Sequence, residues 1–325
     1  FVNRTDSDSI DLPRTRTLNQ NRENPLPGSE LSNMRIVVTG ASGQLGAYLV
    51  DHLESTGTPV HAWGGRSPRN PLRHPESIWR SIDLTQGTQT LEALEAANPE
   101  IILHLAAISA ADAVFNAPKQ ALAVNVTATR LLADWCAERD RRLIFTSTDL
   151  VFDGTRSHFR EEDSTNPLLA YGRTKVEAEQ AVLSIDRGLV ARMSLMFGFS
   201  KSARQGFFDR AIHSMKQGIP QTFFEDEYRT PLDYGTAVTI LARLALLEVT
   251  GILHVAGYER MSRYDLMQRA AVSLDIDPKF VKFNRRHQVI LKEPRPHDVS
   301  LDTSRLRSIL PQVRIPSVED ALNPA

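Results

Sequence analysis

From Arg35 onward, short apolar runs alternate with longer stretches in which apolar residues recur every three or four positions. The runs Arg35–Thr39, Pro59–Trp63, Ile101–Leu105, Leu143–Thr146 and Leu189–Met193 are too short for helices and are bounded by polar or turn-forming residues, which predicts strands. Between them, Leu45–Leu53, Leu91–Ala97, Ala121–Ala137 and Tyr171–Leu183 carry the helical spacing, in connections long enough for parallel crossovers. Strand, helix, strand repeated in this way predicts an α/β fold: a doubly wound parallel sheet of Rossmann type, covered on both faces. After Ser194 the regularity weakens into single elements at Phe207–Met215, Ala237–Leu247, Gly251–Val255 and Arg263–Ser273, which predicts a smaller C-terminal α/β region on the sheet's carboxyl edge. The expected division is 34–193 with about 232–256 for the larger part, and about 194–231 with 257–325 for the smaller. Residues 1–33 hold few apolar side chains and many turn formers, so they are expected to be a flexible extension, with Met34 as the natural start. They lack the apolar core of a secretory signal, and their acidic residues argue against a transit peptide.

Composition narrows the class. The 325 residues carry 38 basic and 39 acidic side chains, and this near balance gives no reason to expect nucleic acid or an anionic membrane as the main partner. No apolar run reaches the roughly 18–20 residues of a spanning helix. The single cysteine, Cys136, excludes an intrachain disulfide and a cysteine-based zinc cage, and is read as a buried small hydrophobe. The nine histidines lack metal-site spacing. A reduced, cytoplasmic protein is the expectation, with His104 structural and no metal.

Candidate chemistry begins where the first strand meets the first helix. Gly40-Ala41-Ser42-Gly43-Gln44-Leu45-Gly46 places glycines at 40, 43 and 46. Such glycines let the backbone turn tightly and approach a pyrophosphate, while the helix start offers N–H groups to its charge. The competing reading is a packing turn without a ligand. The second strand ends in Trp63-Gly64-Gly65-Arg66, without the acidic residue that would hold a free ribose 2′-hydroxyl. Arg66 instead suits a 2′-phosphate, which predicts NADP(H), unless it is a solvated loop arginine. Asp83 in Ser81-Ile82-Asp83-Leu84 is read as an acceptor for the adenine amino group, with capping of the next helix as the alternative. The small residues Ala106 and Ala107 end the fourth strand where a cofactor would lie against backbone.

The second constellation is Tyr171-Gly172-Arg173-Thr174-Lys175, whose four-residue spacing puts Tyr171 and Lys175 on one helix face. A neighbouring ammonium favours the phenolate of a tyrosine, whose ordinary pKa is about 10. Thr146-Ser147-Thr148-Asp149 ends the fifth strand and supplies hydroxyls for a substrate oxygen.

Together with Val124-Asn125-Val126, Pro167-Leu168, Arg295-Pro296 and Ser300-Leu301-Asp302, these blocks resemble the extended short-chain dehydrogenase/reductase superfamily over nearly all of residues 34–325. Within it the chain is most similar to the dTDP-4-dehydrorhamnose reductase type. The resemblance implies an NADPH-dependent reductase acting on a carbonyl of a sugar, sugar nucleotide or similar polyhydroxylated substrate. It implies catalysis by Thr148, Tyr171 and Lys175, with Ser147 the rival hydroxyl. Cofactor contacts would come from Gly40, Ser42, Gly43, Gln44, Leu45, Gly46, Arg66, Asp83, Leu84, Ala106, Ala107, Ser147, Tyr171 and Lys175. Substrate contacts would come from Ser109, Asp149 and Arg229, with His158 a further candidate. Asn125 would support the active-site backbone. Homodimers are common in the superfamily, and nothing in these residues marks such an interface.

The match departs in two places. Leu150 stands where the family's reductases carry tyrosine, and Leu195 where they carry tryptophan, so rings and a hydroxyl are missing from the expected sugar site. Leucine at 150 also removes the glutamate that sugar-nucleotide dehydratases place there. An epimerase stays open. So does a non-enzymatic role, because Phe159-Arg160-Glu161-Glu162-Asp163 and Gly251-Ile252-Leu253-His254 are similar to the regulatory beta subunit of methionine adenosyltransferase.

Overall fold

The computed structural model describes residues 31–65 and 71–323. Seven strands form one sheet: β1 (Ile36–Thr39), β2 (Val60–Gly64), β3 (Ile78–Ser81), β4 (Ile101–His104), β5 (Arg142–Thr148), β6 (Gly188–Met193) and β7 (Gly251–Val255). Their spatial order is β3-β2-β1-β4-β5-β6-β7, and every neighbouring pair is parallel. This is the doubly wound order with one strand added at the β6 edge, and it reverses direction between β1 and β4, where such sheets bind ligands.

Period-two alternation builds two cores from the same strands. Ile36, Val38, Ile101, Leu103 and Ile144 face the helices α1 (Gln44–Ser55) and α8 (Tyr234–Leu246). Val37, Ile102, Leu143, Phe145 and Val190 face the opposite layer. That layer contains α2 (Gly87–Ala97), α5 (Ala128–Glu138) and α6 (Ala170–Leu183). Two short helices, α3 (Ala111–Asn116) and α4 (Pro118–Leu122), lead into α5 through a π-helical turn at Ala123–Thr127. The single helix expected over Ala121–Ala137 is therefore divided, and the wider turn carries Asn125.

A separate core lies under α7 (Phe207–Lys216), α9 (Arg263–Ser273) and α11 (Val318–Leu322), with Phe208, Ile212, Met267 and Val318 buried together. Two expectations shift. Leu31 is wholly buried in the sheet's core, so the folded chain begins before Met34, while the rest of the expected extension lies outside the described residues. Leu306 of α10 (Ser304–Ile309) and Leu310 pack on that core as well. Part of the segment assigned to the smaller region thus closes the larger one, because its apolar side chains fill the space beside β7.

Candidate active site

The glycine loop follows β1 directly. Gly40 has φ +69°, and a Cβ there would lie 2.7 Å from the Ala106 nitrogen, so only glycine permits the ends of β1 and β4 to approach this closely. A Cβ on Gly46 would collide with the Gly40 carbonyl oxygen, which is why α1 can begin so near the turn. Gly43 caps α1 without any side-chain hydrogen bond, and the first turn holds no acidic residue. The helix's first N–H groups therefore remain for an anion. Ser42 and Leu45 are buried in the loop. Gln44 points elsewhere, donating to Ser200 Oγ at 2.5 Å and to the Arg204 carbonyl. Its amide ties α1 to the loop before α7.

At the second strand, Arg66 lies outside the described residues. Asp83 follows β3 and accepts from the Thr85 N–H at 3.1 Å and the Thr85 hydroxyl at 2.6 Å. It does not cap α2, which begins at Gly87 behind Gln86. Leu84 is buried against the α2 layer. Ala106 and Ala107 are partly exposed beside Gly40.

Tyr171 and Lys175 stand one turn apart on the buried face of α6. The Tyr171 ring packs with Val114, Ala121 and Leu150. The α6 backbone can press onto the strand end because Gly172 has no Cβ to strike the Leu150 carbonyl. Burial, and then the Asp149 carboxylate, raise the Tyr171 pKa, with Arg229 opposing. Lys175 is 1 % exposed, with its ammonium 3.9 Å from the centre of the Phe145 ring. Burial lowers its pKa to about 7, against the raising effect of Glu179. Desolvation dominates both groups: it keeps the Tyr171 phenol protonated and draws the Lys175 ammonium down toward neutrality. Asn125 in the π-turn braces the helix start. Its amide accepts from the Ile108 N–H at 2.8 Å and donates to Thr174 Oγ1 at 3.0 Å, and Thr174 donates to the Tyr171 carbonyl at 2.8 Å.

The two candidate hydroxyls separate by strand alternation. Ser147 donates to Glu179, and Glu179 forms a buried bidentate pair with Arg192 at 3.1 and 2.8 Å. The Ser147 hydroxyl proton is thereby directed to Glu179. Thr148 accepts from the Leu150 N–H at 3.2 Å and donates to Asp149 at 3.2 Å.

Two of the three expected substrate contacts are buried. Asp149 and Arg229 are buried and pair at 2.7 Å. Arg229 reaches Glu227 at 3.0 Å, and Ser194 donates to the other Asp149 oxygen at 2.9 Å. Both polar ends of Asp149 are thus held inside the protein. Of the three, Ser109 alone is exposed. His158 is exposed, with φ +53° and its N–H donated to Ser300 Oγ. Sequence reasoning missed Glu179, whose spacing of four from Lys175 was a legible signal, and Glu293, which accepts from the Ala170 N–H at 2.7 Å and pairs with Arg173 at 3.2 Å. No local pattern links Glu293 to α6.

A cavity of about 800 Å³ lies between Tyr48, Tyr234, Arg243 and Arg314 and does not include Tyr171. A second, about 400 Å³, is lined by Phe207, Arg210, Phe223, Phe224, Arg263 and Asn284. Among the described residues no cluster of His, Cys, Asp and Glu could hold a metal, and no helix is long and apolar enough to cross a membrane.

Comparison with known proteins adds independent findings. The chain is 30 % identical over 287 residues to methionine adenosyltransferase 2 subunit beta of Bos taurus, covering 86 % of this chain and 83 % of that one. It is 31 % identical over 257 residues to a dTDP-4-keto-6-deoxy-D-glucose reductase of Streptomyces niveus, covering 76 % and 81 %. The crystal structure of dTDP-4-dehydrorhamnose reductase from Bacillus anthracis in complex with NADP shares the fold at a TM-score of 0.78 and 21 % identity, covering 89 % and 96 %. The model of the RmlD substrate binding domain matches residues 34–323. On the strength of that match across nearly the whole fold, this chain belongs to the RmlD substrate binding domain family.

Proposed function

We propose that this protein is an NADPH-dependent reductase of a carbonyl group on a sugar nucleotide or similar polyhydroxylated substrate. The observation that carries the reading is Tyr171 and Lys175 on the buried face of α6, with a protonated phenol beside the Asp149 carboxylate. The glycine loop fits a dinucleotide: Gly40 and Gly46 leave no room for a Cβ, and the start of α1 has no internal cap. Gly40, Gly43, Gly46 and the backbone at Ala106 would hold the pyrophosphate region, and Arg66 the 2′-phosphate. Bound NADPH supplies hydride.

The chain's own part is to orient and to move a proton. Thr148 Oγ1 turns its proton from the Asp149 carboxylate, which it meets at 3.2 Å, to the carbonyl oxygen and orients it. Tyr171, kept protonated by burial, gives its phenolic proton to that oxygen as negative charge develops there. Lys175 places positive charge beside the phenolate left behind. Arg210 and Arg263 face the second cavity alongside three phenylalanines, a pairing suited to the phosphates and base of a nucleotide. The reductase relative from Streptomyces niveus supports this substrate class.

The test is NADPH oxidation with a panel of 4-keto-6-deoxy nucleotide sugars and simpler carbonyl compounds, comparing wild type with Tyr171→Phe. Removal of the proton donor should lower kcat by about 10²-fold or more; turnover unchanged by the substitution sinks the mechanism. The similarity to methionine adenosyltransferase 2 subunit beta favours one rival, a non-catalytic nucleotide-binding subunit. Tight NADPH binding without turnover of any panel member would establish that rival. Equal affinity for NADH and NADPH would remove the role given to Arg66.

A further inference from the structure

A line of buried polar groups crosses the sheet beneath the site, and the mechanism above makes no use of most of it. Thr39 at the end of β1, His104 at the end of β4 and Thr129 in α5 are each fully buried. Thr39 Oγ1 accepts from the Leu105 and Ala106 N–H groups, both at 3.2 Å, and lies 2.6 Å from His104 Nδ1. His104 Nε2 lies 2.9 Å from Thr129 Oγ1, and Thr129 donates to the Asn125 carbonyl at 2.8 Å.

The directions of these bonds can be assigned. Thr129 spends its proton on Asn125, so it accepts from His104 Nε2–H. A neutral imidazole then leaves Nδ1 as acceptor for the Thr39 hydroxyl, whose oxygen is free to receive the two backbone N–H groups. No group in the line is left without a partner, and no second arrangement of protons satisfies all of them. One end fixes the Ala106 backbone against Gly40. The other holds the π-turn whose Asn125 braces Thr174 and, through it, the Tyr171 carbonyl. A wider turn of this kind inside a helix recurs at functional sites.

We infer that His104 is a positioning residue that couples the dinucleotide loop to the Tyr171 helix, so that occupancy of one sets the geometry of the other. The inference rests on the reading of Gly40–Gly46 as the dinucleotide loop. Coupling of this kind is reciprocal. Thr129, which belongs to neither site, should therefore influence dinucleotide binding.

The experiment measures NADPH affinity by fluorescence titration for wild type, Thr129→Val and Thr129→Ser, with thermal unfolding as the fold control. Thr129→Val should weaken NADPH about fivefold or more while the protein stays folded. Thr129→Ser, which keeps the hydroxyl, should restore wild-type affinity. Nitrogen NMR of wild-type His104 should show the Nε2–H tautomer, which needs no variant. Wild type that binds NADPH, with Thr129→Val binding it equally well, overturns the coupling alone. The Nδ1–H tautomer overturns it too. Wild type that binds no dinucleotide overturns the coupling together with the reductase reading.

Discussion

Lys175 is held where its charge is costly, and the cost depends on pH. Its folded pKa is lowered to about 7 from an unfolded value of 10.5. Between those values the unfolded chain binds a proton that the folded chain does not, so this group makes stability rise with pH from about 7 to 10. The slope approaches about 1.4 kcal/mol per pH unit at most. In Lys175→Met that rise should disappear, and urea midpoints at pH 7 and pH 9.5 should draw together; equal pH dependence in both proteins would show that the lysine is not desolvated. Tyr171 and Lys175 were legible as a pair because helical spacing alone places them on one face. Their electrostatics were not, since the depth at which a helix is buried depends on its neighbours and not on its own sequence. The same limit explains Asp149 and Arg229. Both look like polar loop residues, and their mutual pairing exists only after 80 residues of intervening chain have folded.

At the scale of elements, the strand-turn-helix at Gly40–Gly46 is set by local chemistry and was readable in full. Gly46 has no space for a methyl group against the Gly40 carbonyl, so Gly46→Ala should cost about 1–3 kcal/mol by overpacking and abolish dinucleotide binding. Calorimetric unfolding with and without NADPH checks both effects. A variant that keeps its ligand-induced shift in Tm would show that the loop does not cradle the cofactor. The π-turn at Ala123–Thr127 was hidden, because Ala-Val-Asn-Val-Thr carries the apolar spacing of an ordinary α-helix. Nothing local reports that the Asn125 amide is bonded across to Ile108 and Thr174; that requires knowing what lies opposite.

Across the whole molecule, the sheet and the smaller α/β region meet through buried charge. Asp149 at the end of β5 holds Arg229, and Arg229 holds Glu227. Burial favours a protonated Glu227, yet the guanidinium groups of Arg263, Arg229 and Arg295 outweigh it and keep the pKa below the ordinary range. Arg229→Met would leave two carboxylates without their shared cation and should destabilise the protein by about 3–5 kcal/mol. In urea unfolding, adding Asp149→Asn should recover part of that loss; an Arg229→Met protein as stable as wild type would mean the two parts are joined by apolar packing alone. The overall architecture was legible because alternating strand and helix patterns admit few topologies, whereas the return of Leu306 and Leu310 to the sheet's core was not. One leucine in a short helix and another just after it fit either region equally well.

The strand order also bears on how the chain is made. β1, β2 and β3 can pair as soon as they are synthesised, and β4, β5, β6 and β7 then add in sequence on the other side. No later strand has to insert between two that are already joined. Ile36 of β1 nevertheless pairs with Ile101 of β4, so one edge of an interior strand, apolar on both faces, waits uncovered while the chain between them is translated. That interval is when the nascent protein is most open to pairing with another copy of itself.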